Sequence, residues 1–333
     1  MPDDPPYADP PPPRRKRRLW PWLLALGVVI LLAVRLVHTS PPPTPAPAPA
    51  LPETRAPSAS APAPSSTPTP VPPLPAAPAS ADCAAGPADA AQANAASLTT
   101  LSFAPFRGRA ETGWEIYALK IGVEIGSGCG PDTPAFAEAL ARWQGLHRLP
   151  ASGVFDAATF KAMNNAWSLA RPFVVASQHG ACPPPPRPEQ LVALLPAETY
   201  GKPERALPQA LSAYRRMVAD ARASDLAIAA DPKMLTVFSA FRDPGADPAD
   251  CAARGGCGGP EKANCSAHRS GAAFDIVVGS APGQRVDSSA DSNRLAMSKT
   301  PAYRWLTLNA GRYGFLNYAF EPWHWEWAGE TPP

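Results

Sequence analysis

The segment Ser266-Ala267-His268-Arg269-Ser270-Gly271-Ala272-Ala273-Phe274-Asp275-Ile276-Val277-Val278 combines a histidine, a glycine turn and an apolar run broken by one acid. The run from Phe274 to Val278, closed by Gly279, is predicted to be a strand. Alternation along a strand sends Phe274, Ile276 and Val278 to one face and Asp275 to the other. A carboxylate on a buried apolar strand costs several kcal/mol unless it is paired or bound to a cation. Asp275 therefore needs a partner. The sequence offers a guanidinium, from Arg242 or Arg269, or a metal ion shared with other ligands.

A second stretch, Phe320-Glu321-Pro322-Trp323-His324-Trp325-Glu326-Trp327, alternates in the same way. A strand over Trp323 to Trp327 would turn its three tryptophans to a core and His324 and Glu326 to the opposite face. Pro322 breaks the regular pattern and lets Glu321 swing toward the His324 side. His268 and His324 lie beside acids at these spacings; the other three of the five histidines, His38, His147 and His179, do not. Two imidazoles and one carboxylate form a three-ligand set that suits zinc and leaves a fourth position open, as in catalytic sites. Glu321 beside such a centre would act as general base toward water. A structural Cys3His site built from Cys251, Cys257 and Cys265 is the competing arrangement, but the spacing lacks a close Cys-x2–4-Cys pair.

The pattern Ser-x-His-x-x-Gly-x-Ala-x-Asp, starting at Ser266, followed by Glu-Pro-Trp-His from Glu321, resembles the zinc D-alanyl-D-alanine carboxypeptidase family, which includes the vancomycin-resistance D,D-carboxypeptidases. Ser239-Ala240-Phe241-Arg242 and the Asn309-Ala310 and Tyr313-Gly314-Phe315 segments extend the likeness. The resemblance implies Zn2+ on His268, Asp275 and His324, with Glu321 as general base. It also implies a substrate site that includes Arg242, Ser239 and Ser266, acting on peptidoglycan stem peptides. A guanidinium fork at Arg242 suits a terminal carboxylate, which favours carboxypeptidase over endopeptidase action. Phe241 and Asp243 depart from the family pattern, where many relatives carry Tyr and Ser.

Upstream, Thr133-Pro134 reads as an N-cap followed by proline at the first helical position, with Phe136, Leu140 and Trp143 on one face. Asp156 caps a second helix carrying Phe160, Met163 and Trp167. Ala139 to Gln144, His147 to Leu149, Ser152 to Asp156, Thr159-Phe160 and Met163 together resemble the small helical peptidoglycan-binding domain. Trp143 and Trp167 fall on the apolar faces, so they read as core rather than sugar platforms. Between the two motif-bearing regions, a helix is predicted from about Glu204 to Ala223, a strand over Leu235 to Ser239, and a helix from Tyr303 to Arg312 ended by Gly314. The expected fold class is α+β, a small antiparallel sheet with flanking helices, preceded by a small all-α domain and a single transmembrane helix.

Composition sets the organisation around these parts. The chain has 333 residues and 47 prolines, too many for one compact globule. Net charge is +2, from 30 Lys+Arg against 28 Asp+Glu, so there is no field to gather nucleic acid and no such partner is expected. Residues 1–18 form a cytoplasmic basic tail ending in Arg14 to Arg18. Residues 19–37 form an apolar membrane anchor with positive-inside orientation, close to the roughly 20 residues a spanning helix needs. A cleaved signal peptide is the alternative. Residues 38–82 are a Pro/Ala-rich linker that could extend on the order of 100 Å. Residues 83–182 form the peptidoglycan-binding-like helical domain and residues 188–333 the zinc D,D-carboxypeptidase-like domain. The resulting expectation is a single-pass protein of the cytoplasmic membrane with its catalytic domain periplasmic or otherwise outside the cytoplasm. All six cysteines lie on that exported side, three before the peptidase-like region and three within it, so full oxidation requires at least one bridge between the halves.

Overall fold

The computed structural model describes residues 82–106, 109–177, 182–246 and 265–329. The expected anchor at 19–37, the linker up to residue 81, and Cys251 and Cys257 lie outside the described residues. Among the described residues, no helix is long and apolar enough to cross a membrane.

Two helices begin where the sequence places their caps. Helix α3 (Pro134–Leu146) starts after Thr133, whose hydroxyl accepts from the Phe136 amide, and it buries Phe136, Leu140 and Trp143. Helix α4 (Ala157–Ala170) starts after Asp156, whose carboxylate accepts from the Thr159 amide at 2.7 Å. These caps satisfy amides that the first turn of a helix leaves without a partner. Helices α1 (Ala88–Ser97) and α2 (Glu115–Glu124) complete this helical part.

The region is not all-α as expected. Strands β1 (Ser102–Phe106) and β2 (Arg109–Thr112) pair as an antiparallel hairpin. Proline inside Ser102-Phe103-Ala104-Pro105-Phe106 hides the strand pattern, and the register shift between Phe103 and Phe106 accommodates it. Both phenylalanines are thereby buried against Phe160.

Downstream, α4 stops at Arg171 because Pro172 follows and pushes the preceding residue out of the helical region; Arg171 has φ −83° and ψ 115°. Helix α5 (Pro172–Ser177) comes next. Strands β3 (Val192–Ala193) and β4 (Arg205–Ala206) make a two-residue ladder. The long helix predicted from Glu204 instead runs as α6 (Pro208–Ser224), because Pro208 takes the first helical position and the residues before it pair in β4. It buries Leu211, Tyr214 and Met217. Helix α7 (Leu226–Ala230) follows.

The main sheet has β5 (Val237–Ser239), β6 (Ala273–Ile276), β7 (Phe315–Asn317) and β8 (His324–Trp327), ordered β5-β6-β8-β7 and antiparallel throughout. Helices α8 (Asp291–Ser298) and α9 (Pro301–Asn309) lie between β6 and β7 in sequence. A 3-10 turn over Ala310–Tyr313 continues α9 and ends at Gly314, which has φ +79°. One sheet face carries Phe274, Ile276 and Trp325 into a core with α6 and α9; Phe274 stacks on Tyr214 at 5.5 Å between ring centres. The mixed helices and small antiparallel sheets fit α+β.

A second core gathers Phe103, Phe106, Tyr117, Phe136 and Phe160, and Phe320 packs into it from the C-terminal part, 4.9 Å from Phe106 between ring centres. Among the described residues, two disulfides form. Cys83–Cys129 lies within the helical part, and Cys182–Cys265 joins the two halves.

Candidate metal centre

The sheet register builds the polar row. Ser239 pairs with Asp275, and Asp275 pairs with His324, so three side chains from β5, β6 and β8 line up on the face opposite Phe274 and Trp325. Direct cross-strand neighbours have Cβ atoms about 4.5–5.5 Å apart, close enough for their polar tips to meet. His268 reaches the row from the 3-10 turn Ala267–Ser270. That turn ends at Gly271, whose φ of +71° disfavours a side chain, and whose Cβ position would lie 2.8 Å from Leu191.

The partners of Asp275 are imidazoles rather than Arg242 or Arg269. Its Oδ2 lies 3.1 Å from His268 Nε2 and its Oδ1 2.9 Å from His324 Nδ1. All three residues are buried, and their ligand atoms lie within 4.8 Å of one another. Bonds of 2.0–2.1 Å to a tetrahedral ion place donors about 3.3 Å apart; the two His–Asp contacts are near that spacing, at 3.1 and 2.9 Å, through the two different Asp275 oxygens.

Each imidazole also has its outer nitrogen engaged. His268 Nδ1 donates to the Ala240 carbonyl at 2.6 Å, which leaves Nε2 facing Asp275. His324 Nε2 lies 3.0 Å from Glu326 Oε1, which leaves Nδ1 for the centre. Fixing the tautomer through an outer hydrogen bond is how metal-binding histidines are normally oriented. The donor set and its supports therefore fit a metal ion.

Without a metal the row is a proton-linked chain. Burial would raise the Asp275 carboxyl, but the adjacent imidazoles, His268 foremost, hold it well below the usual range. Burial would lower His324, but hydrogen bonds and charge from Asp275 and Glu326 push it up to about 10. Glu326 would also rise on burial; the Arg171 guanidinium and then His324 hold it at about 2.

Glu321 sits on the tight turn ahead of β8. Its amide donates to the Tyr318 carbonyl at 2.9 Å and its own carbonyl accepts from the His324 amide at 3.0 Å. Asn317 Nδ2 donates to the Glu321 and His324 carbonyls at 3.1 and 3.0 Å and holds the turn closed. Glu321 Oε2 comes within 4.0 Å of His324 Nδ1 without joining the ligand set. Burial raises its carboxyl to about 7 against the opposing pull of His324, with Asp275 adding to the rise.

A cleft of about 760 Å³ opens over the row, and its walls include Ser239, Arg242, Ser266, His268, Asp275, Glu321 and His324. Every residue predicted for the site thus faces one space. Arg242 Nη2 donates to Ser239 Oγ at 3.2 Å, which aims the guanidinium along the β5 side of the cleft. Residues 261–330 match the family VanY, D-alanyl-D-alanine carboxypeptidase.

That part of the chain is VanY-like, as its motifs suggested, and the matched stretch contains both of them. Arg242 lies ahead of the VanY match. Neither the curated proteins nor the solved structures contain a significant match to the chain.

Two site residues went unnoticed in the sequence. Glu326 was placed on the His324 face by alternation but given no role. Arg171 lies in the helical part, far from either motif, and carries no signal of its own; it pairs with Glu326 and lies in the cleft wall.

Proposed function

We propose that the chain is a zinc-dependent peptidoglycan peptidase that removes the terminal D-alanine of the stem peptide. The observation that carries this reading is one cleft holding a His2Asp donor set, an unliganded carboxylate at Glu321 and a guanidinium at Arg242. A zinc ion on His268, Asp275 and His324 would supply Lewis acidity toward the scissile carbonyl.

The remaining work falls to the protein. Glu321 takes a proton from the attacking water and returns it to the leaving amine, and a carboxyl near neutrality in its proton affinity suits both transfers. Arg242 holds the substrate's C-terminal carboxylate through its fork, with Ser239 and Ser266 beside it. Such an anchor at the end of a peptide selects exopeptidase cleavage. Cleavage between L-alanine and D-glutamate, or at a cross-link, needs no terminal carboxylate and is the alternative within the same chemistry. In a non-catalytic wall-binding protein, Glu321 would have no purpose beside the centre.

Residues 19–37 are proposed to anchor the protein in the cytoplasmic membrane with the peptidase outside the cytoplasm. The two disulfides support an oxidising location, and a peptidoglycan-binding role for the helical part, suggested by the motifs between Ala139 and Met163, would fit a wall substrate.

The test is a digest of stem pentapeptide and of cross-linked muropeptides with the zinc-loaded protein. Loss of the last residue alone is expected. Glu321→Ala should retain zinc and lose turnover by about 10²–10⁴-fold; unchanged turnover removes Glu321 as the base.

A further inference from the structure

A residue outside the VanY-matched stretch, Arg171, reaches the outer side of His324 through Glu326. His324 Nε2 is 3.0 Å from Glu326 Oε1, and Arg171 pairs with that same Oε1. Arg171 and Glu326 are buried, with side chains 10% and 4% exposed. The Arg171 guanidinium also lies over the Tyr318 ring at 4.6 Å, on the turn that carries Glu321. Arg171 itself is held by the α4 to α5 junction, where Pro172 dictates its backbone.

The backbone of that turn is also tied to the helical part, through Arg294 of α8. Arg294, fully buried, donates from Nε to the Phe320 carbonyl at 2.8 Å and from Nη1 to Glu111 Oε1 at 2.8 Å, and it also pairs with Tyr117. Two independent arginine bridges thus connect residues 82–177 to the segment from Phe320 to Glu326.

We propose that Arg171 is a positioning residue for the metal centre, acting through Glu326 to fix the orientation of His324. The helical part is then a structural component of the peptidase site, whatever else it binds. The proposal rests on the reading of His268, Asp275 and His324 as zinc ligands. Glu326 accepts from His324 only while its Oε1 stays aimed at the imidazole, and Arg171, pairing with that same oxygen, is the contact that aims it. Removing the guanidinium leaves Glu326 free to turn, and His324 then loses the acceptor that orients its ring. Outer partners of this kind are worth about 10–100-fold in metal affinity.

The experiment measures zinc affinity of the full-length protein by chelator competition, alongside kcat and KM on stem pentapeptide and the visible spectrum of the cobalt-substituted form. Arg171→Met is expected to weaken zinc binding by about 10–100-fold, alter the cobalt spectrum, and lower kcat with little change in KM. Arg171→Lys, which keeps the charge without the fork, should recover part of the loss. Glu326→Gln should weaken zinc to a similar degree, and combining it with Arg171→Met should add little, because both act through one path. Wild-type zinc affinity in Arg171→Met, or losses that multiply in the double variant, would overturn the proposal. Should Arg171→Met not fold, Glu326→Gln alone decides: wild-type affinity overturns it and reduced affinity supports it. Failure of the unaltered protein to bind zinc at all would instead sink the metal reading itself.

Discussion

His324 Nδ1 points at Asp275 Oδ1 across the β6 to β8 ladder at 2.9 Å, while its Nε2 faces Glu326 at 3.0 Å. An imidazole between two buried carboxylates holds both of its protons, which is why it is pushed up to about 10 in the metal-free protein. A metal ion at Nδ1 must displace one of them.

Zinc binding at pH 7.5 is therefore expected to release about one proton from His324, with affinity rising roughly tenfold per pH unit across the neutral range. Titration calorimetry in buffers of different ionisation enthalpy reads this directly. A binding heat independent of the buffer would show that His324 is already neutral.

Glu321 makes the metal-free protein pH-sensitive in the opposite sense to an ordinary paired acid. Its folded value of about 7 lies above the usual 4.5, so between those values the native state keeps a proton that the unfolded chain has lost. Its contribution to stability is full below about 4.5 and disappears as pH rises through about 7. Glu321→Gln, which cannot ionise, should gain on the wild type by roughly 3 kcal/mol between pH 4.5 and pH 8 in the absence of metal. Thermal melts of the two metal-free proteins that stay parallel over this range would disprove the assignment.

Arg242→Ala should lower kcat/KM on a peptide with a free C-terminal carboxylate by about 10²-fold, since a charge-assisted hydrogen bond is worth about 1.5–3 kcal/mol. The same variant should cut a C-terminally amidated analogue as slowly as the unaltered protein does. Equal losses on both peptides would place Arg242 in the fold rather than in substrate recognition.

Arg294→Met strands a buried Glu111 and frees the Phe320 carbonyl. Removing one partner of a buried pair costs about 3–5 kcal/mol, so urea unfolding should shift to clearly lower concentration. For the same reason a fragment starting at residue 188 should lose its cooperative transition, because Phe320 would be exposed and both arginine bridges cut. A fragment as stable as the whole protein would rule out this mutual support.

The row of Asp275 and His324 was readable because its determinants are local. Alternation in Phe274 to Val278 and in Trp323 to Trp327 assigns faces, and two adjacent strands with opposed faces need only the observed register to unite Asp275 with His324. The caps at Thr133 and Asp156 were equally local. What failed depended on context. Pro105 concealed the β1 to β2 hairpin, and Pro208 outweighed the apolar periodicity that had extended α6 back to Glu204. Arg171, Glu111 and Arg294 form their pairs across long sequence separations, where no periodicity or spacing reports a partner.

The bridge from Cys182 to Cys265 attaches to the chain just before the turn that presents His268. Its closing spans 83 residues, and in the chain-entropy picture a crosslink of that length restrains the unfolded state by about 4.5 kcal/mol. While those thiols remain reduced, the His268 arm has no covalent tether, and reductant should loosen zinc retention without touching a single ligand. On the proposed reading, the crosslink would have to form before the metal is held firmly, so thiol oxidation would precede loading of the site.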